Sequence, residues 1–204
     1  MNIKSSGCIE NCISDSTLEF LVSFIKKNAP LNTDSHHSKS YSWYITRENF
    51  TVLEKLIIKE VGHYFDPMKI VTITYKECND SFGPHFDNYI VNEHGVPYVS
   101  LLFPITDGIF TTFIFDQKSK LNSRGIEENM EYAKNLPDQP VSVMQPGLEH
   151  IAEFWHYKLT VENAISWKKN SCIYWANESL HCGSYHNKEL IDFKKFIVIH
   201  TTRK

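Results

Sequence analysis

Residues 69–75 read Lys-Ile-Val-Thr-Ile-Thr-Tyr, and the chain changes there from a helical to an extended pattern. β-branched residues dominate this segment, which is typical of a strand. Because alternate residues of a strand point to the same side, Val71, Ile73 and Tyr75 should share one face. The segment therefore marks the start of a strand-rich part of the chain.

Short apolar segments separated by polar turns follow this first strand. Their spacing predicts further strands over residues 98–105, 109–115, 158–167, 171–176 and 195–201. Asp107-Gly108 and Lys168-Lys169-Asn170 are expected to form turns. The polar residues 116–149 are long enough to form a mobile lid over a binding site, a prediction that hydrogen exchange can check.

Two helices are predicted upstream of these strands. Ser16-Thr17-Leu18-Glu19 matches a capping box and opens an amphipathic segment that ends at Pro30. A second apolar stripe predicts a helix over residues 48–64, which Asp66-Pro67 should stop. Helices followed by many short strands favour a mainly β fold, a jelly-roll or barrel with helices packed against it.

The size of the chain suits one domain. It has 204 residues, of which 42% are hydrophobic, and this is enough for one sizeable core. We therefore expect a single domain over residues 1–204. Its helical part would span residues 1–68, and its jelly-roll core residues 69–204.

Charge and cysteine content exclude several classes of protein. The formal net charge is -3, and no basic stripe of the kind that binds duplex nucleic acid is present. The five cysteines are odd in number and scattered, and no apolar leader precedes them. No segment approaches the roughly 20 apolar residues of a membrane span. These features predict a cytoplasmic protein with reduced thiols.

His85 and Asp87 form the motif with the clearest chemical meaning. Their His-x-Asp spacing puts an imidazole and a carboxylate on the same face of an extended segment. His181, after the strand predicted at 171–176, is the best candidate for a third ligand. Two histidines and one carboxylate form the facial triad of non-haem iron(II) oxygenases, which leaves open positions on the metal. A bare His-x-Asp pair is otherwise most often an accidental surface pair.

From Ile70 onward, the sequence resembles the iron(II)- and 2-oxoglutarate-dependent oxygenases, and among them the prolyl-hydroxylase-like branch. The resemblance is carried by residues 81–87 (SFGPHFD) and 173–184 (IYWANESLHCGS). It implies a double-stranded β-helix, which is a jelly-roll open at one end. It also implies that His85, Asp87 and His181 ligate the iron.

The same resemblance implies a hydroxylase. Dioxygen and 2-oxoglutarate would be consumed, succinate and CO2 released, and ascorbate could support turnover. The substrate would be a small molecule or a prolyl or peptidyl group. Halogenating relatives lack the carboxylate ligand, so the presence of Asp87 implies hydroxylation rather than halogenation.

A cation should neutralise the far carboxylate of 2-oxoglutarate, because a buried unpaired charge is very costly. The family places a basic residue on the last strand, and Lys194 and Lys195 compete for this role. They follow His181 by thirteen and fourteen residues, later than is usual in the family. The order basic–aromatic–aliphatic favours Lys195. Tyr75 is a further candidate for a hydrogen bond to that carboxylate, with a core tyrosine as the alternative.

Other functions stay open at the level of sequence. The chain could be a jelly-roll metal-binding protein without oxygenase activity, or could hold zinc. A nucleic-acid dealkylase of the same superfamily would be expected to show a basic groove, which the sequence lacks. The remaining candidate histidines lie outside the strand–turn context of His181, and they are His150, His156, His186 and His200.

Overall fold

The computed structural model describes residues 5–34, 40–45, 47–79, 81–87, 94–107, 110–118, 131–132, 134–138, 145–185 and 193–204. The long α-helices within these residues are α1 (Asp15–Asn28) and α2 (Arg47–Val61). A 3-10 turn at Gly62–Tyr64 extends α2. The strands are β1 (Ser6–Ile9), β2 (Leu31–Asp34), β3 (Ser40–Tyr44), β4 (Met68–Cys78), β5 (Pro97–Pro104), β6 (Thr111–Lys118), β7 (Val161–Ser166), β8 (Cys172–Ala176), β9 (Ser179–Gly183) and β10 (Lys194–Arg203).

These strands form two antiparallel sheets. The major sheet has the order β1-β8-β5-β10-β4-β3-β2, and the minor sheet has the order β7-β6-β9. Apolar side chains from both sheets pack together between them, among them Ile114, Ile165, Ile173 and Phe196. The sheets therefore face each other across an apolar interior, as in a jelly-roll.

The helices cover the outer face of the major sheet. Leu18, Leu21 and Ile25 of α1 are buried in one cluster with α2 and the outer face of β4, β5 and β10. The hydroxyl of Ser14 accepts a hydrogen bond from the N–H of Thr17 and caps α1. The helix therefore begins at Asp15, and the capping box predicted at Ser16 is wrong by two residues.

The central strand β10 is buried on both faces. It pairs with β4 on one side and β5 on the other. Ile197 and Ile199 pack toward the helices, whereas Phe196 and Val198 pack toward the minor sheet. Side-chain alternation along β10 thus separates residues that support the helices from residues that line the interior.

The predicted mainly β fold with N-terminal helices is confirmed. Residues 1–68 are not only helical, however, because β1 pairs with β8 and β3 pairs with β4. These strands gain their stability from partners far along the chain, which a local pattern does not reveal. The single domain over residues 1–204 stays a prediction.

Two local predictions have different outcomes. Lys168-Lys169-Asn170 does form a turn, in which Asn170 has a φ of 66°. The turn at Gly108 and most of the lid at 116–149 fall outside the described residues. Neither described helix is long and apolar enough to cross a membrane.

Candidate metal centre

His85 and His181 face one another across an antiparallel bridge. Each backbone N–H donates to the carbonyl of the other residue at 3.0 Å. Residues directly opposite in such a bridge project their side chains to the same side. The two ring centroids lie 4.3 Å apart. Backbone pairing between β9 and the segment around His85 therefore fixes the two imidazoles as neighbours.

The carboxylate of Asp87 lies beside both imidazoles. Its Oδ2 is 3.5 Å from Nε2 of His181, and its Oδ1 is 4.0 Å from Nε2 of His85. The backbone N–H of Asp87 donates to the carbonyl of Asn177, in the turn between β8 and β9, at 3.3 Å. Ligand atoms from His85, Asp87 and His181 all lie within 4.8 Å of one another, and no other group of three in the described part of the chain does so.

The hydrogen bonds of the two histidines suit metal binding. Nδ1 of His85 lies 2.8 Å from the carbonyl of Gly83, and Nδ1 of His181 lies 3.1 Å from the carbonyl of Ser179. A carbonyl oxygen only accepts, so both Nδ1 atoms carry the proton and donate. Each Nε2 therefore keeps its lone pair, directed toward the same small space. This arrangement fits a divalent transition metal such as iron(II).

The ionisation of the site also suits a metal. Burial lowers the pKa of His181 to about 4, despite the opposing attraction of Asp87. Burial also lowers the pKa of His85, and Lys76 contributes in the same direction. Burial alone would raise the pKa of Asp87, but attraction to His181, His200 and His85 holds it well below its usual range. At neutral pH the site therefore presents a carboxylate and two neutral imidazoles, the forms that ligate.

Three further side chains hold the carboxylate of Asp87 in place. The hydroxyl of Ser100 donates to Oδ2 at 2.6 Å, and Nε1 of Trp175 donates to the same oxygen at 3.0 Å. Nε2 of His200 lies 3.5 Å from Oδ1. These residues come from β5, β8 and β10. Of the three, only His200 was among the sequence candidates, as an alternative metal ligand, and the structure places it beside Asp87.

We expect Ser100→Ala to lower iron(II) affinity by about 10- to 100-fold, the range typical for partners that orient a metal ligand. The reason is that Oδ2 of Asp87 would lose one of its two donors, Ser100 and Trp175, and the carboxylate would be less well oriented. Anaerobic metal titration measures the effect, and Ser42→Ala on β3 is the matched control. Equal affinity in the Ser100 variant and the wild type would contradict this role.

A cavity of about 110 Å³ opens from the three candidate ligands, and Lys194 lines it. Lys194 is only 4% exposed, and its Nζ donates to the carbonyl of Ser184 at 2.6 Å. Lys195 is exposed and does not line this cavity. The register of β10 turns Lys194 toward the interior and Lys195 away from it, so the geometry favours Lys194 over Lys195 for the role predicted for a lysine on this strand.

Tyr75 also differs from its suggested role. Its side chain lies in the cluster between the major sheet and the helices, and does not line the cavity. Its hydroxyl donates to Oε1 of Glu77 at 2.7 Å, and its ring packs 5.3 Å from that of Trp43. Tyr75 is thus a core tyrosine, because strand alternation sends Lys76 rather than Tyr75 to the cavity.

No protein-family model matches the sequence, and no curated protein sequence matches it either. Solved structures do match. A 2OG-Fe(II) oxygenase family oxidoreductase from Burkholderia pseudomallei is 10% identical with a TM-score of 0.58, over 98% of this chain and 85% of that chain. A prolyl-4-hydroxylase from Pseudomonas putida is 7% identical with a TM-score of 0.53, over 98% and 93% of the two chains.

HygX from Streptomyces hygroscopicus, solved with nickel and 2-oxoglutarate bound, is 12% identical with a TM-score of 0.56. That alignment covers 98% of this chain and 83% of HygX. At such low identity these likenesses establish the fold. The chain therefore has the jelly-roll fold of the 2-oxoglutarate- and iron(II)-dependent oxygenases, with His85, Asp87 and His181 gathered inside it.

Proposed function

We propose that this protein is an iron(II)- and 2-oxoglutarate-dependent dioxygenase that hydroxylates a C–H bond of a small molecule. The observation that carries the proposal is the convergence of His85, Asp87 and His181 in one cavity of a jelly-roll. The same cavity contains a buried cation, Lys194. A metal site alone would fit many proteins, whereas a metal site combined with an interior cation suits a chelating dicarboxylate.

The residues that line the cavity would have separate roles in binding the metal and the co-substrate. His85, Asp87 and His181 would hold the metal and leave one side of it open. Lys194 would neutralise the far carboxylate of 2-oxoglutarate, which a low-dielectric cavity would otherwise disfavour. When bound, iron(II) supplies the redox chemistry that couples dioxygen and 2-oxoglutarate to substrate oxidation, with succinate and CO2 as products.

Apolar side chains around the ligands would exclude water from the site. Leu102, Phe196 and Val198 line the cavity and are almost fully buried. A dry cavity strengthens the charge interactions of Asp87 and Lys194 and protects reactive species from solvent. This supports an enzyme rather than a simple metal-storage site. A nucleic-acid dealkylase remains the less favoured alternative.

We expect succinate to be released from 2-oxoglutarate in the presence of iron(II) and ascorbate, and this release to be lost in His85→Ala. The substitution removes one of the two imidazole ligands, so metal binding should fail. His63→Ala is the matched control, because His63 is exposed and lies outside the cavity. Succinate release that is independent of iron, or that survives in His85→Ala, would rule out the proposed function.

Metal analysis separates this function from a zinc site. The purified protein should bind iron(II), and 2-oxoglutarate should bind only to the metal-loaded form. A protein that holds zinc and does not bind 2-oxoglutarate would instead be a metal-binding jelly-roll without oxygenase activity.

A further inference from the structure

A second lysine, Lys76, lines the same cavity as the candidate ligands. It lies on β4 directly opposite Phe196 of β10, so both side chains belong to the interior face of the major sheet. Lys194 and Lys76 are diagonal neighbours across this strand pair, because Lys194 is opposite Cys78. The cavity therefore contains two cationic side chains on one wall.

The two lysines differ in their surroundings. Lys194 is 4% exposed and lies deep in the interior, where Nζ donates to the carbonyl of Ser184. Lys76 is only partly buried, and its Nζ lies 5.1 Å from the ring centroid of Phe82. Phe82 is 41% exposed and lies 6.2 Å, centroid to centroid, from the ring of His85. Lys76 and Phe82 therefore mark the mouth of the cavity, on the side of His85.

The charges of the cavity indicate what could bind at this mouth. Among the described lining residues, the lysines and carboxylates are Lys76, Lys194 and Asp87, and they sum to one positive charge. Iron(II) and the 2-oxoglutarate dianion cancel each other in formal charge. On this count of described residues, Asp87 ligates the metal and Lys194 serves the co-substrate, so the ammonium of Lys76 can pair with an anion that enters through the mouth.

We propose that the substrate is a small anionic molecule whose carboxylate or phosphate group pairs with Lys76 while its apolar part contacts Phe82. This inference rests on the proposed function, in which Lys194 serves the co-substrate. Lys76 is the more exposed of the two cations, so a molecule that enters from solvent would contact Lys76 before Lys194. A lysine ammonium is a compact point charge that can pair with either kind of anion.

The test is stimulation of succinate release by a panel of matched compounds. Carboxylic acids are paired with their primary amides, phosphate monoesters with their parent alcohols, and a set of amines is added. We expect stimulation by acids or phosphate esters and not by their neutral partners, and the more active set identifies the anion. In Lys76→Gln, kcat/KM for the active anion should fall about ten- to a hundredfold.

Three further measurements make the test specific. The Kd of 2-oxoglutarate for the manganese(II)-loaded protein should change far less than kcat/KM in Lys76→Gln, and this measurement also reports correct folding. Lys69→Gln, an exposed lysine on the same strand, should keep full stimulation by the anion. Lys76→Glu should lose anion stimulation and shift the preference toward amines.

Three results would overturn the inference. One is a panel in which no acid or phosphate ester stimulates turnover. Another is stimulation that is unchanged in Lys76→Gln. The third is an equal loss of 2-oxoglutarate affinity in that variant, which would make Lys76 a second co-substrate ligand. Failure of the proposed function itself would be seen earlier, as a wild-type protein that binds no 2-oxoglutarate before any panel compound is added.

Discussion

Asp87→Ala should lower the affinity for iron(II) by more than about a hundredfold. Loss of a partner that only orients a metal ligand typically costs about 10- to 100-fold in metal affinity, and loss of the ligand itself should cost more. Asp87 supplies the anionic ligand of the candidate site, and the structure surrounds its carboxylate with Ser100, Trp175 and three imidazoles. Productive hydroxylation should fall in parallel, although some 2-oxoglutarate turnover could survive. Anaerobic iron titration and product analysis measure the two effects.

Two controls separate ligand loss from misfolding. Asp87→Asn keeps the size of the side chain and an oxygen acceptor for Trp175, so it should fold and still bind iron poorly. Asp116→Ala removes an exposed carboxylate outside the cavity and should bind iron normally. Unchanged iron affinity and full activity in Asp87→Ala would remove Asp87, and with it the triad, from the proposed function.

The wild-type protein should hydroxylate and not halogenate its substrate. In the oxygenase family that the sequence resembles, halogenating members lack the carboxylate ligand, and chloride then takes its position. Here the negative charge and the coordination of Asp87 would both oppose chloride. Turnover in excess chloride should therefore yield no chlorinated product, as mass spectrometry of the products can check.

Lys194→Ala should weaken 2-oxoglutarate binding about ten- to a hundredfold, because a charge-assisted hydrogen bond to a buried carboxylate contributes roughly 1.5–3 kcal/mol. Lys194 is 4% exposed and lines the cavity. Water would therefore not stabilise the carboxylate of 2-oxoglutarate in place of the missing lysine. Iron affinity should change much less, since Lys194 is not one of the candidate metal ligands. Titration of 2-oxoglutarate into the metal-loaded protein gives the measurement.

Lys195→Ala is the matched control for this experiment. The two lysines are adjacent in sequence, but the Lys195 side chain is exposed and outside the cavity. Its replacement should leave 2-oxoglutarate affinity unchanged. If Lys195→Ala lost the affinity and Lys194→Ala kept it, the orientation of β10 in solution would be opposite to that in the structure.

The sequence by itself determined both helices, most of the strands after residue 68 and the three residues that the structure brings together. Strand positions were predictable because β-branched runs and turn residues are local signals. His85 and Asp87 were predictable as a pair because a spacing of two places side chains on one face. His181 was predictable as the third ligand because it lies just after a predicted strand. Their binding of iron remains the proposal.

Tertiary structure alone decided that Lys194 lines the cavity and that Tyr75 does not. Residues 196–199 of β10 are apolar and buried on both faces, so the alternation of side chains does not indicate which face lines the cavity. Only the pairing of β10 with β4 and β5 turns Lys194 inward and Lys195 outward. The same pairing sends Lys76, and not Tyr75, to the cavity.

The contacts around Asp87 were also beyond the reach of local patterns. Ser100, Trp175 and His200 come from three strands that are far apart in sequence and adjacent in the major sheet. In their own segments, Ser100 and Trp175 look like ordinary strand residues, and His200 like one of several candidate histidines. Their convergence on one carboxylate is a consequence of strand order and register. Both are set by pairing between distant segments, and local sequence patterns do not reveal that pairing.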